Sequence, residues 1–491
     1  MAQSENARVD VAEWWLPGNP DLKTPGTYTL LESGNALVRL HGSIEGHDVN
    51  FFSDVNHYPL IHGEVFGKSV TLVNSRVGSG RFGGSGLVDV QLRPAVAIEG
   101  LLLDGDELSL TEAKVRIQHQ DDWIDPSNFV ARKDARGFLA GVSIRDFPER
   151  LASIEGGILG VGDFSSARWN SSELSISSRS GFHFCFDAPV GLNEFFEKYL
   201  RGLQVLMTLI AGTRCGIESL SFTNETWLVN DVKPAVSPWV DVRVRAPQEG
   251  KSKRNDVLFP FSAMDWERQA PRIFDLSVAW MYAIEQWALL LDDRFVWPVA
   301  RFSTAASAVE ALDRILNPGE KYEPDAEMID RVVEALRETS LNSRDRRKVK
   351  SALERPRETS LEQRIRRLTL CAPHAMAEII DAPQWAARVA RLRHVVSHGL
   401  QSSEKLSQDV RSVECGAEIL LHLLECVFLF HLGFDGEHIK RIKRGNPSTA
   451  WRRGVVHECM DLLPSIGEQP APVVETSASV AHDEPTAGAT S

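Results

Sequence analysis

Cysteine is scarce and scattered in this 491-residue chain: Cys185, Cys215, Cys371, Cys415, Cys426 and Cys459 form no C-x-x-C pair and no dense framework. That spacing excludes a disulfide scaffold and a zinc knot, and it points to a reduced, cytoplasmic setting. The start, MAQSENARVD, has no basic stretch followed by an apolar one, so no secretory leader is expected. Long hydrophobic runs are lacking too. The most apolar stretch, Ile419 to Phe430, is interrupted by His422 and Glu425 and is too short to span a bilayer, so it reads as a buried helix and no membrane partner is expected. Excess positive charge is also absent. With 54 Lys and Arg against 67 Asp and Glu, the net charge is -13, which argues against a protein that coats nucleic acid nonspecifically. There is no G-x-x-x-x-G-K-[ST], so NTP hydrolysis has no support. Gly78-Ser79-Gly80-Arg81-Phe82-Gly83 matches G-x-G-x-x-G, but no helix follows it, and it reads as a flexible hairpin loop.

What is present is an ordinary globular composition, 43% hydrophobic and 25% charged, in a chain long enough for two or three domains. Residues from about 12 to 262 alternate apolar and polar side chains in short runs. Thr27 to Leu31 and Ala36 to Gly42 flank Ser33-Gly34-Asn35 as a hairpin, and Val70 to Val73, Leu87 to Leu92, Leu108 to Leu110, Leu174 to Ile176 and His183 to Phe186 repeat the pattern. A helix is predicted inside this half from Leu192 to Ala211, where Phe195, Phe196, Tyr199 and Leu203 recur at helical spacing. After Phe261 the period changes. Helices are predicted over Phe274 to Leu291, Ser303 to Leu316 (stopped by Asn317-Pro318-Gly319), Glu327 to Thr339, Arg344 to Arg355, Ser360 to Leu370, His374 to Ile380, Pro383 to His398 and Val410 to Leu432. From Pro464 the chain is rich in Pro, Ala, Ser, Thr and acid, without Lys or Arg, and is expected to be a disordered tail.

Positive charge is local: Arg344 to Lys350, Arg364 to Arg367, and Lys440 to Arg444 with Arg452 and Arg453. Each segment reads first as a solvated helix face, with a groove for an RNA backbone as the alternative. His57 with His62, and His183 with Cys185, are candidate metal ligands, but isolated pairs in strands read as structural, and no metal or cofactor is expected. Trp14 and Trp15 read as core packing rather than a ligand platform.

The stretch with chemistry is Arg393-His394-Val395-Val396-Ser397-His398-Gly399, near the end of a predicted helix. Histidine moves protons near neutral pH, and arginine is a permanent cation for a phosphate. At about 100° per residue, Trp385, Val389, Leu392 and Val396 form a core stripe, while Ser397, His394 and His398 fall on the opposite face with the arginine. Gly399 can then end the helix. Arg391 fits a looser Arg-x6-His spacing, but Arg393 carries the polar neighbour.

An Arg-x4-His spacing inside a helical domain resembles the ribonuclease motif of the HEPN superfamily. The N-terminal half points to the same relative. Glu13-Trp14-Trp15-Leu16-Pro17-Gly18, Pro25-Gly26-Thr27, Leu40-His41-Gly42, and Pro59-Leu60-Ile61-His62-Gly63-Glu64 followed by Val70-Thr71-Leu72 resemble the opening of the N-terminal domain of ApeA-like proteins. Those proteins pair such a domain with a C-terminal HEPN domain and act in bacterial defence against phages. The fold class expected is α+β and multidomain: a β-rich, sandwich- or barrel-like domain (1–262), an all-α HEPN helical bundle (263–463) and a tail (464–491).

The resemblance implies metal-independent RNA cleavage by the ribose 2′-hydroxyl, leaving 2′,3′-cyclic phosphate and 5′-hydroxyl ends, with transfer RNA as one target. His398 would do acid-base work and Arg393 would bind the scissile phosphate. His394 stands where the motif more often has Asn or Asp, so its role, orienting either group or holding a neighbouring phosphate, stays open. Glu310, in Ser307-Ala308-Val309-Glu310-Ala311-Leu312, resembles the acidic residue of an earlier HEPN helix and would orient Arg393 or hold a histidine tautomer. A homodimer that completes the site across a two-fold axis is implied, as is a phage-derived trigger acting through the β-rich domain. Two other readings remain: a non-catalytic HEPN adaptor, and a β-domain ligand binder whose helices only dimerise.

Overall fold

The computed structural model describes residues 8–464 apart from 32–35, 43, 45–56, 83–87, 106–107, 125–128, 134–135, 137–138, 145–148, 164–165, 170–173, 178, 228–239, 245–256, 292–296, 320–325, 340, 355–358, 383 and 398–405. The tail expected from Pro464 onward lies outside these residues except for its first.

The chain begins with β1 (Arg8–Trp15), β2 (Thr24–Leu30), β3 (Ala36–His41), β4 (His57–Val65), β5 (Lys68–Phe82) and β6 (Val88–Arg93). They pair in the order β5-β4-β1-β2-β3-β6, and β6 pairs back onto β5, so the ring closes into a barrel. The expected hairpin is there, with Leu30 opposite Ala36. Alternation sets the two faces. In β3, Ala36, Val38 and Leu40 point inward, while Arg39 and His41 point out and both bond Asp89 of β6. Trp14 fills the interior and is fully buried. Two glycines make room for its indole. A Cβ on Gly63, directly opposite Trp14, would lie 2.2 Å from Trp14 Cε3, and one on Gly26 would lie 3.0 Å from Trp14 Cδ1. The Trp-Trp and Gly-bearing stretches of the opening are therefore one packing unit. Gly78 to Phe82, expected in a loop, instead extend β5; a register shift between Val77 and Ser79 carries the strand on against β6.

β5 also pairs with β7 (Val96–Glu99), which extends the sheet beyond the barrel. The order continues through β17 (Val240–Val244), β16 (Ile217–Thr223), β8 (Ser109–Ile117), β15 (Ser180–Gly191) and β12 (Gly157–Asp163) to β11 (Arg150–Ile154). Two separate hairpins, β9 (Phe129–Lys133) with β10 (Leu139–Ile144) and β13 (Ser166–Trp169) with β14 (Leu174–Ser177), stand outside it. Helices cover one face: α1 (Gln120–Ile124), then α2 (Leu192–Glu194), a π-helical turn (Phe195–Leu200) and α3 (Arg201–Ala211), which run on without a break over the predicted Leu192 to Ala211 helix. Phe184 meets Phe195, Tyr199 and Phe274 at ring distances of 5.5, 5.8 and 6.1 Å. Gly212 ends α3 at φ +62°, a left-handed cap that glycine adopts without strain.

The helical half starts at α4 (Trp266–Ala279), earlier than the spacing predicts, followed by α5 (Met281–Leu290). The predicted Phe274 to Leu291 helix is two helices, because Trp280 leaves helical geometry at φ -113°, ψ 12°. Its ring is buried against Phe428 and His431, 6.1 and 4.4 Å away. The break lets α4 lie on the sheet, where Trp266 stacks on Phe182, and lets α5 turn onto the bundle. Then come α6 (Pro298–Leu316), α7 (Ala326–Ala335), α8 (Ser343–Glu354), α9 (Leu361–Thr369), α10 (Pro373–Met376), α11 (Trp385–Ser397), α12 (Leu406–His431), α13 (Gly436–Gly445) and α14 (Pro447–Cys459). α6 and α12 form the central pair. The last two helices were not anticipated, although Asp435 and Asn446 cap them by accepting from His438 N and Thr449 N. One continuous apolar core runs from Val73 and Phe182 on the sheet to Leu429 and Leu463 in the bundle. The change of period near 262 therefore marks a change of secondary structure, not a gap in packing. No helix among the described residues is long and apolar enough to cross a membrane.

Candidate active site

The motif helix, α11, is seated by its apolar stripe. Ala386, Val389 and Leu392 are buried, and Trp385 and Val396 are half-buried against the same core. Gly416 on α12 sets how closely they approach. A Cβ there would lie 2.8 Å from both Leu392 Cδ2 and Phe302 Cε2, so the glycine lets α12 come down on α11 and α6 together. Arg388, on the same helix, donates from Nη2 to the Leu463 carbonyl at 2.6 Å. The arginine and histidine side of α11 is left on the opposite face. His394 is exposed and Arg393 is partly so.

Arg393 forms an ion pair with Glu310 of α6, so two of the four candidate residues meet although they are far apart in the chain. Glu310 is mostly buried and holds the guanidinium from below. Its neighbour one turn on, Asp313, is almost fully buried and accepts from two arginines of α9: Arg364 Nη1 at 3.1 Å and Arg367 Nη2 at 2.6 Å. α6 thus presents two acids that pin the helices on either side, α11 through Glu310 and α9 through Asp313. His394 adjoins the pair in the chain. His398 lies outside the described residues, as does Ser397's side chain.

Two of the basic segments depart from both readings of the sequence, while Arg344 to Lys350 is a solvated helix face as first expected. Lys443 is fully buried and ion-paired to Glu425, and Arg452 is buried with Nη1 2.5 Å from Glu425 and Nε 3.0 Å from Glu418. Arg301 reaches the other oxygen of Glu418 at 2.6 Å. Burial alone would push the Glu425 carboxyl up, but Arg452 and Lys443 together hold it well below the usual range. His422 sits in the same helix, its Nε2 donating to the Ala375 carbonyl at 3.1 Å. Burial, and then the Lys443 charge, push it down to about 3, so it stays neutral. Arg444 and Arg453 share Glu378. Lys443, Arg452 and Arg364 serve the bundle's interior and Arg367 is held by the same buried Asp313, so these four are not available as an RNA groove, whereas Arg444 and Arg453 are exposed. A signal was present: Glu418, His422 and Glu425 fall on one face of an otherwise apolar helix, a pattern that requires buried cations from elsewhere. Exposed positive charge remains on α8, at Arg344, Arg347 and Lys348, and at Arg441.

Of the candidate histidines of the β half, His57 opens β4 and is exposed. His62 is buried with Nε2 3.0 Å from the Leu103 carbonyl, a structural role. His183 and Cys185 are not an isolated pair, because Glu112 of β8 joins them. A cavity of about 540 Å³ lies where the halves meet, lined by Asn74 and Val96 of the sheet region, Gln204 of α3, Arg214, and Met281 and Ile284 of α5. Cys215 borders it, its thiol pushed up to about 12 by burial and so unreactive.

A barrel-bearing β sheet packed onto a helical bundle, with an arginine-histidine face held by an acid from a neighbouring helix, defines a sheet-plus-HEPN architecture. The family model described as ApeA N-terminal domain 1 matches residues 11–268, and the one described as Apea-like HEPN matches residues 303–438. The chain belongs to the ApeA family, a family of HEPN effectors of anti-phage defence. No curated protein matches it, and no solved structure does.

Proposed function

We propose that this protein is a metal-independent endoribonuclease of phage defence, with its site on the outward face of α11. The observation that carries the reading is the Glu310–Arg393 ion pair, which fixes a guanidinium on the solvent side of the helix beside His394. A cation held this way has already given up its rotamer freedom, so it can receive a scissile phosphate without further ordering. His398, one helical turn beyond His394 in the sequence, is the proposed acid-base group, with a pKa naturally near operating pH. The ribose 2′-hydroxyl attacks the adjacent phosphorus, the 5′-oxygen leaves with a proton, and the ends are a 2′,3′-cyclic phosphate and a 5′-hydroxyl. DNA, lacking the nucleophile, is resistant. Anticodon loops of transfer RNA, with unstacked bases and free 2′-hydroxyls, suit such a site.

One Arg/His face is a sparse set for acid, base and phosphate binding, so the active species in this reading is a homodimer whose two faces meet. The working division is a sensor domain at 1–262, the nuclease at 263–463 and a tail at 464–491, in a cytoplasmic protein. The sensor restrains the nuclease until a phage-derived trigger arrives. The shared core and the cavity between the sheet and α5 support that coupling, since α5 packs on α6, which carries Glu310.

A second reading draws on the same ion pair: an arginine satisfied by Glu310 is also what a non-catalytic adaptor would have. Sequencing RNA ends during phage infection, with wild type and with His398→Ala, separates the two. Cyclic-phosphate ends that persist in EDTA with wild type and vanish with the variant support the nuclease. Identical RNA ends in both support the adaptor.

A further inference from the structure

We propose that Glu112, His183 and Cys185 form a binding site for a zinc-class divalent metal on the outer face of the β8–β15 ladder. The site belongs to the β-rich half and is independent of the ribonuclease reading.

Strand register brings the donors together. Cys185 stands directly opposite Glu112 across β15 and β8, and His183, two residues along, projects from the same face. The alternate residues, Phe182, Phe184 and Phe186, are buried in the aromatic core on the other side, so the face cannot slip. One donor atom from each of the three residues lies within 4.8 Å of the others. The edges are 3.1 Å from His183 Nε2 to Glu112 Oε2, and 3.6 Å from Cys185 Sγ to His183 Nε2. A tetrahedral zinc with bonds of about 2.0–2.1 Å to N and O and about 2.3 Å to S requires N–O and S–N edges of roughly 3.3 and 3.6 Å. The two edges that meet at His183 thus already match those of a zinc tetrahedron.

A second carboxylate lies on the same face, outside the three-donor group. Gly160 of β12 pairs with His183, and a Cβ on it would lie 2.8 Å from Glu149 Oε1. The glycine leaves space for that carboxylate to lie across the strand, and Glu149 is close enough to act electrostatically on Cys185. A carboxylate, an imidazole and a thiol make a mixed donor set. The sulfur selects zinc-class ions over magnesium or calcium, which take oxygen ligands. The protein's own competing cation is Lys114, opposite His183. Three protein donors leave the fourth position of a tetrahedral ion to water or another small ligand. Bound metal would tie β8 to β15, in the sheet region on which α2 to α4 rest. Its chemistry is that of a staple: zinc displaces the Cys185 proton to solvent, and nothing is oxidised or reduced.

The test uses the full chain, stripped of metal and titrated with Co²⁺ and Zn²⁺ alone. Wild type should give a thiolate-to-cobalt charge-transfer band with tetrahedral d–d absorption, displaced by Zn²⁺. Zn²⁺ should also protect Cys185 from alkylation, read by mass spectrometry at that residue. Cys185→Ser should lose the charge-transfer band. His183→Gln should weaken binding at least about 10-fold, the loss that even outer-shell changes cause. Lys114→Ala should retain binding. If Cys185→Ser does not fold, the wild-type spectrum and the site-specific alkylation still decide. No thiolate band in wild type, a band that persists in Cys185→Ser, or equal Cys185 alkylation with and without Zn²⁺ overturns the site.

Discussion

Exchanging the partners of the Glu310–Arg393 pair separates a phosphate-binding arginine from a structural one. In the structure the Arg393 side chain is 36% exposed and Glu310 is 15% exposed, so the pair is only half shielded from water. Coupling in such a pair is about 0.5–1 kcal/mol, between an exposed ion pair and a buried one. Arg393→Ala and Glu310→Ala should therefore each lower thermal stability by only about 1–4 °C in a domain of this size. The doubly exchanged variant, Glu310→Arg with Arg393→Glu, restores opposite charges and should recover most of that loss. Catalysis should respond differently. An arginine that stabilises charge on the phosphate in the transition state is worth on the order of 10²–10³ in rate, or about 2.7–4 kcal/mol. Arg393→Ala should lose that factor, and the exchange should not return it, because the cation now projects from α6. Glu310→Ala, which frees the guanidinium without removing it, should lose less. The assay pairs thermal melts with RNA cleavage rates for the three variants and wild type. If the exchanged variant regains both stability and cleavage, the arginine acts only through its partner and the phosphate role is refuted.

The buried His422–Glu425 region should make the bundle acid-sensitive. Both folded pKa values are lowered, His422 to about 3 from its usual 6.5, so the unfolded chain takes up protons first and stability falls with pH, from about 6.5 for His422 and from about 4.5 for Glu425. Each contributes a slope of about 1.4 kcal/mol per pH unit within its window, so His422→Gln should flatten urea-melt stability between pH ~6.5 and ~4.5 relative to wild type; an unchanged slope would show that the imidazole is not held neutral. In the barrel, Gly63→Ala places a Cβ against Trp14 and should cost about 1–3 kcal/mol, with partial recovery when Trp14→Leu is added; additive losses in denaturant melts would show that the two do not share one space. Specific nuclease activity should fall on dilution as a homodimer dissociates, checked by mass photometry beside cleavage rates, and a monomer with full specific activity would refute the composite site.

Local periodicity in the sequence already determined much of this. Alternation marked the strands of the barrel, and the 3.6-residue spacing after Phe261 marked α6, α9, α11 and α12 within a few residues, because each pattern reports which side of one element meets apolar neighbours. The arginine-histidine stretch was legible for the same reason: Val389 and Leu392 assign the core side of α11, and the polar face is what remains. Partners distant in the chain were not legible, and those only tertiary structure decided. Closure of the barrel depends on β6 returning to β5, which the strand patterns do not encode. Lys443 and Arg452 looked like surface charge because their acids, Glu425 and Glu418, lie on another helix. Trp280 breaks a helix that composition would continue, because its ring is buried against α12. Glu112 joins His183 from 71 residues away, through strand pairing alone. Burying a charge or completing a donor set requires groups from separate elements, and only the folded chain determines which of them meet.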